Sequence, residues 1–438
     1  MDLVTIRKKF GSLNSETGGQ VFVLFLMVAV VLVMLIGVVY NVGNAIGEKK
    51  KLQNLADCCA YSQAVWEARS YNYLAYTNRA MIAHFCTISF CVAIGSCEEL
   101  WKKLKDYSFL YEWIPYGIGP LLKAIVTGVH AMYKALDTVL NPAVPNIIKI
   151  VNPIHQAAQL TFFNSMRLSL LASDIQKDLI KRTEELNFKD YTLEGFDKHT
   201  VELVNPLYAL GIINEQNYSN IVRKDGFQFP KNFNMLKDLI EKSQDKFADG
   251  KHFPRDMAAE IVPWLFKAGF DGTCQIKKDK FYQKDQFGLW IKSWSWRKGF
   301  YWKTIAALTG DDEFKYDLKN FRYPVMEKKN KIKGSPGRRS VWSVLKQPKK
   351  AITQFPVMLG ITEPEDIYAI SRAEVYYKHP SKSIGKDPSL FNAYWHAKLA
   401  PVYDDSLEYT TLDKGIFWYL IANGYVGIAY GSGMKILH

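Results

Sequence analysis

The chain has 438 residues, 48% of them apolar and 14% aromatic, with a formal charge of +13. That much apolar material excludes a disordered chain, and six cysteines without a CxxC pair argue against a zinc site or a disulfide scaffold. The positive balance favours anionic lipid, nucleic acid or acidic partners without choosing among them.

Residues 1–18 are polar and basic at Arg7, Lys8 and Lys9. Residues 19–43 follow as a membrane anchor. From Val21 to Tyr40 there is no charged residue and no Asn, Gln or Pro. About 20 such residues at 1.5 Å rise cross the ~30 Å hydrocarbon layer. A cleaved signal peptide has a shorter apolar core of roughly 7–15 residues, so the segment reads as a retained span carrying Val21, Phe25, Val30, Leu35 and Tyr40. Lys49, Lys50 and Lys51 balance the basic residues before the span, which leaves its orientation open.

Residues 44–186 read as a helical region. With Leu52 as origin, the positions Leu55, Ala56, Cys59, Trp66, Tyr73 and Met81 fall within a sector of roughly 100°. Asn54, Asp57, Asn72 and Arg79 cluster opposite, so an amphipathic helix continues straight out of the membrane. Ala60, Ala64 and Ala68 on its margins would admit another helix closely, from a partner or from its own domain. Residues 121–140 form a second amphipathic stretch. A proline-bearing connection at 141–153 leads to a third at 154–186.

From residue 187 to 438 the composition shifts to a mixed α/β domain, which makes the chain α+β. Residues 233–248 and 256–268 read as short helices. Residues 287–304 read as strands with a turn at Lys298–Gly299. Residues 327–350, with nine Lys and Arg against one Glu, read as an exposed loop. The apolar run 415–430 reads as a buried helix or strand pair.

No catalytic, cofactor or metal site is predicted. GSPGRRS at 334–340 lacks the GK[ST] ending of a phosphate loop, and neither HExxH nor GxSxG occurs. His84, His379 and His396 have no ligand-like neighbours. Asp311–Asp312–Glu313 and Asp404–Asp405 read as loop or cap residues. Cys97 or Cys274 could pair across the fold in an oxidising compartment. Trp290, Trp294, Trp296 and Trp302, with Lys292, Arg297 and Lys298, could stack on sugar rings or nucleobases, or could bury one face of a strand pair. Nucleic acid is not expected as a partner.

Gly19 and Gln20 stand directly before the apolar run. Then come LQNLADCCA at 52–60, with Asn54 and Asp57, and NYLAYTNRAM at 72–81, with Asn72, Asn78 and Arg79. LFNAYWHAKLAPV at 390–402 carries Asn392, Tyr394 and Trp395. Together these resemble the long TadG-like branch of the TadE/TadG pilus-assembly family. Cys58 and Cys59 stand where that family commonly has alanine, and Ala393 where it has proline. The resemblance implies a single-pass protein of a bacterial inner membrane, its N-terminus cytoplasmic and its bulk periplasmic. It also implies a non-enzymatic pilus-assembly or minor pilin-like role, with membrane lipid and other pilin-like or pilus-assembly proteins as partners. Neither Gly11 nor Gly19 is set in a good prepilin cleavage context, so processing as a major pilin is not expected. The alternative is a membrane-tethered enzyme or carbohydrate-binding protein using the C-terminal domain.

Overall fold

The computed structural model describes residues 3–107, 111, 118–172, 174–190, 202–203, 233–250, 257–262, 266–277, 280–315, 321–325, 339–347, 367–380 and 388–402. The proline-free N-terminal run is one helix, α1 (Leu3–Asp106), of 104 residues. At 1.5 Å per residue this makes a rod about 150 Å long. Lys103 and Lys105 lie in its last turn, where cations oppose the dipole. The Tyr111 hydroxyl donates to the Leu104 carbonyl, satisfying one of the acceptors left over at the helix end.

Two helices return along α1. They are α2 (Ile118–Ala172) and α3 (Asp174–Asp190). Val126 packs with Leu100 and Leu104, Ile148 with Ile88, and Phe163 with Leu74, while Ile180 of α3 reaches Leu52. The contacts descend α1 as the chain advances, so α2 runs antiparallel to it.

The connection expected at 141–153 is helical instead. Pro142, Pro145 and Pro153 all lie inside α2. An interior proline costs roughly 3 kcal/mol, yet burial of Ile148 and Asn152 against α1 lies within the same stretch. Tertiary packing overrides local propensity here.

The strands form two antiparallel sheets. One has the order β1-β6-β7-β8, from β1 (Glu202–Leu203), β6 (Arg339–Gln347), β7 (Ile367–Tyr377) and β8 (Trp395–Ala400). The other is a meander of β2 (Met257–Val262), β3 (Phe266–Ile276), β4 (Lys280–Ser295) and β5 (Gly299–Lys315). A short helix, α4 (Phe233–Ser243), packs Leu236 and Ile240 beside the meander.

Three local readings change accordingly. Residues 257–262 and 266–268 are strand, because ladder pairing from Met257↔Phe270 to Val262↔Phe266 outweighs their helical composition. Residues 339–347, expected in a basic loop, form β6. The run Val341–Leu345 is wholly buried, and the flanking charges had hidden that apolar core. Asp311, Asp312 and Glu313 lie on β5 rather than in a loop. The hairpin between β4 and β5 turns at 296–298, and Gly299 with φ 65° closes it. Residues 415–430 and Asp404–Asp405 lie outside the described residues.

Each sheet takes its core from a different stretch of α1. Val341, Ala373, Val375 and Trp395 pack on Ala60, Ala64, Ala68 and Tyr71. Ile276 and Phe281 pack on Ile82, Phe85 and Ile88, and Phe287 packs on Leu100. Helical region and strands therefore share their cores. The closest approach is at Gly310 of β5, whose carbonyl accepts from the Ser96 hydroxyl at 3.1 Å. A methyl at Gly310 would collide with the backbone of Ser96 and Leu100, whereas one at Gly128 of α2 would meet nothing within 4 Å. Gly310→Ala is expected to lower stability by about 1–3 kcal/mol, while Gly128→Ala is neutral or stabilising by less than ~1 kcal/mol. Paired thermal unfolding in detergent checks this contrast.

Candidate functional site

Two sequence motifs more than three hundred positions apart meet at one buried junction. Asn72 of α1 donates through Nδ2 to the Trp395 carbonyl and accepts the Trp395 amide on Oδ1, each at 3.0 Å. The side chain thus copies the backbone pairing of a strand at the start of β8. The Tyr71 and Trp395 rings lie 4.6 Å apart beneath it. The indole N–H of Trp395 donates to the Ser389 carbonyl at 3.1 Å.

Six residues farther along α1, Asn78 is fully buried. Its Nδ2 donates to the carbonyls of Val325 and Leu390, both at 2.9 Å. Its Oδ1 accepts from the Val325 amide and from Gln159 Nε2, again at 2.9 Å. An amide side chain has two donors and two acceptor sites, so Asn78 is saturated. It ties α1, α2, the segment at 321–325 and the C-terminal motif together. Gln159 also donates to the Thr77 hydroxyl at 2.6 Å, and His84 Nδ1 meets Asn152 Oδ1 at 2.6 Å farther along the same α1–α2 seam. None of Gln159, Asn152 and Val325 had been singled out in the sequence; the visible signals were Asn72 and Asn78 on α1 and the motif at 390–402 with Trp395.

The other expected residues fall into distinct places. Val21, Phe25, Val30, Leu35 and Tyr40 are exposed along α1. Among the described residues one helix is long and apolar enough to cross a membrane, and it contains them. Leu52, Ala56, Cys59 and Met81 are buried. Leu55 packs beside Leu52 and Ile180, and Trp66 and Tyr73 lie against Phe162 of α2 with centroids 5.7 Å and 4.7 Å away. This stripe is covered by the chain's own body. Ala60, Ala64 and Ala68, placed at its margin, are core. Gly19 and Gln20 lie within α1. Asp57 accepts from Gln53, which also donates to the Ile370 carbonyl of β7. Asn392 accepts the Tyr394 amide, and the Tyr394 carbonyl accepts from Lys378. Asn54 and Arg79 are exposed on the outer side of α1.

None of the six cysteines is in a disulfide. Burial pushes the Cys59 thiol up to about 12, and those of Cys86 and Cys91 to about 11, so thiolates are scarce at neutral pH. Among the described residues no group of His, Cys, Asp or Glu could hold a metal ion. Arg372 and Glu374 on β7 form a buried ion pair at 2.9 Å, braced by the Ser340 hydroxyl.

Residues 19–65 match a family model described as Flp pilus-assembly TadE/G-like. By this segment the chain is TadE/TadG-like. The matched segment covers the span and the first turns beyond it, and it ends before Asn72. No curated protein and no solved structure matches the chain. The matched segment supports a pilus-related component, and the one apolar helix among the described residues that is long enough to span is compatible with membrane anchoring.

Two outcomes are expected. Asn78→Ala removes four buried hydrogen bonds, two with Val325 and one each with Leu390 and Gln159, and should cost roughly 3 kcal/mol or more, against about 1 kcal/mol for the half-buried Asn72→Ala; denaturant titration compares them. The second concerns Asp312, which inserts over Gly95 and accepts from Asn141 at 3.2 Å. Burial raises its carboxyl above the usual range, reinforced by Asp137 and Glu99 and opposed by the Asn141 hydrogen bond. A raised folded pKa contributes stability at acid pH that is lost as pH rises through the raised value. Asp312→Asn should therefore unfold at a higher temperature than wild type at neutral pH. The gain should shrink toward acid pH, as melts across that range would record.

Proposed function

We propose that this protein is a non-enzymatic, single-pass component of a Flp/Tad-type pilus apparatus. In this reading α1 anchors it in the bacterial inner membrane, with its short start cytoplasmic and its body extracytoplasmic. The observation that carries the reading is the continuity of α1 from the TadE/G-like membrane segment into the centre of the folded body. Such a helix joins the bilayer to the assembly surface without a hinge.

Partner contact by helix packing then needs a face of α1 that the chain has not itself covered. Cys58, Tyr61, Arg69, Tyr76 and Arg79 are exposed and recur at helical spacing. They occupy a sector of roughly 80° opposite Leu52. Tyr76 alone is 65% exposed. Tyrosine and arginine together offer broad flat contact with few rotamers to freeze, the composition of interface hot spots. We assign this stripe to the contact with other pilin-like or pilus-assembly proteins.

Tyr76→Asp combined with Arg79→Glu tests the assignment, since both side chains point away from the core. The variant should keep its membrane association and its unfolding temperature. It should lose the pilus-assembly proteins that copurify with wild type in mild detergent, and it should fail to support piliation. Retention of those partners and of pili would overturn the stripe as the contact surface.

A further inference from the structure

The sheet farthest from the membrane segment ends in a tip that the core does not use. β4 runs alongside α1 in the same direction. Phe281 packs on Phe85, Asp285 accepts from Cys97, and Phe287 and Leu289 reach Leu100 and Leu104. Six further residues at strand rise carry the β4–β5 turn roughly 20 Å past that contact, beyond the end of α1. Along α1, Tyr40 and Leu104 are already separated by roughly 95 Å. With α1 as the membrane anchor, and at the usual modest tilts of spanning helices, this tip stays far from the anchoring bilayer.

The register places Trp294 opposite Phe300 and Lys292 opposite Trp302, on the sheet face turned away from α1. Trp296, Phe300 and Trp294 are 91%, 73% and 50% exposed. Trp294 and Trp296 pack edge to face at 4.8 Å. The Lys292 ammonium sits 5.6 Å and 5.9 Å from the Phe300 and Trp302 ring centres. Arg297 and Lys298 are exposed at the turn beside them, and residues 287–304 contain no Asp, Glu, Asn or Gln.

We propose that this tip is a docking surface for an anionic bilayer other than the one that holds α1. Indole rings ringed by cations sit favourably at the boundary between headgroups and acyl chains, and anionic headgroups add attraction to each Lys and Arg. Charge complementarity selects an anionic surface over a neutral one. A glycan partner would call for carboxylate or amide side chains to bond sugar hydroxyls, and the tip has none. The convex shape of a hairpin end also suits insertion into an interface better than enclosure of a ligand.

The test uses the full chain reconstituted through α1 into phosphatidylcholine vesicles. Flotation first confirms anchoring, so a failed anchor is distinguished from a failed tip. A second, dye-labelled population is then added, made of phosphatidylcholine alone or with phosphatidylglycerol, and its capture is measured. Capture should require phosphatidylglycerol and fall with salt. It should drop about tenfold or more in Trp294→Ser with Trp296→Ser, and likewise in Arg297→Glu with Lys298→Glu. Both variants should keep the wild-type unfolding temperature, since these side chains are exposed. Absence of capture, equal capture of neutral vesicles, or capture untouched by either variant would overturn the proposal. So would retention on polysaccharide beads in place of vesicles, which would point to a glycan instead.

Discussion

The architecture depends on one constraint: among the described residues, both sheets build their cores on α1. A small antiparallel sheet must cover one face with apolar side chains, and here both sheets use successive stretches of the same helix. That demand explains why α1 is buried around most of its circumference between Leu52 and Leu104, with only a narrow outer stripe left exposed. It also explains the small residues. Ala60, Ala64 and Ala68 let one sheet lie close, and Gly310 lets β5 touch the helix backbone. Bulk at either place would push a whole sheet off its support.

Polar side chains set the positions that apolar packing leaves free to slide. A long helix against a sheet could shift by a turn at modest cost if only alanines and valines met. Asn72 and Asn78 remove that freedom, because their partners are particular backbone groups at particular heights. The Gln159–Thr77 and His84–Asn152 pairs do the same between α1 and α2. Buried amides leave large penalties when mismatched, so these contacts specify register as well as contributing stability.

The legible part of the molecule was the part whose signal is local. An apolar run and a 3.6-residue period are written in consecutive residues, so the span and its amphipathic continuation could be read directly. Three features were hidden for distinct reasons. Pro142, Pro145 and Pro153 signal a break locally, but the helix through them is held by contacts with α1 residues about sixty to seventy positions away. β6 is short and flanked by lysines and arginines, so charge masked its Val341–Leu345 core. At the junction, Asn78 was marked by its motif, yet Val325 and Leu390 are ordinary apolar residues whose role is played by backbone atoms. No side-chain pattern can announce that.

A helix without a hinge is also a lever. With α1 as the membrane anchor proposed above, its fulcrum lies in the bilayer and its load at the far end of the body, with a long arm between them. Spanning helices tilt in response to membrane thickness, and a change of about 10° over an arm of roughly 95 Å sweeps the distal end through about 17 Å. Small adjustments at Val21–Tyr40 are thereby converted into large lateral excursions of the sheets. Lipid composition around the anchor becomes a variable that sets where the body can reach.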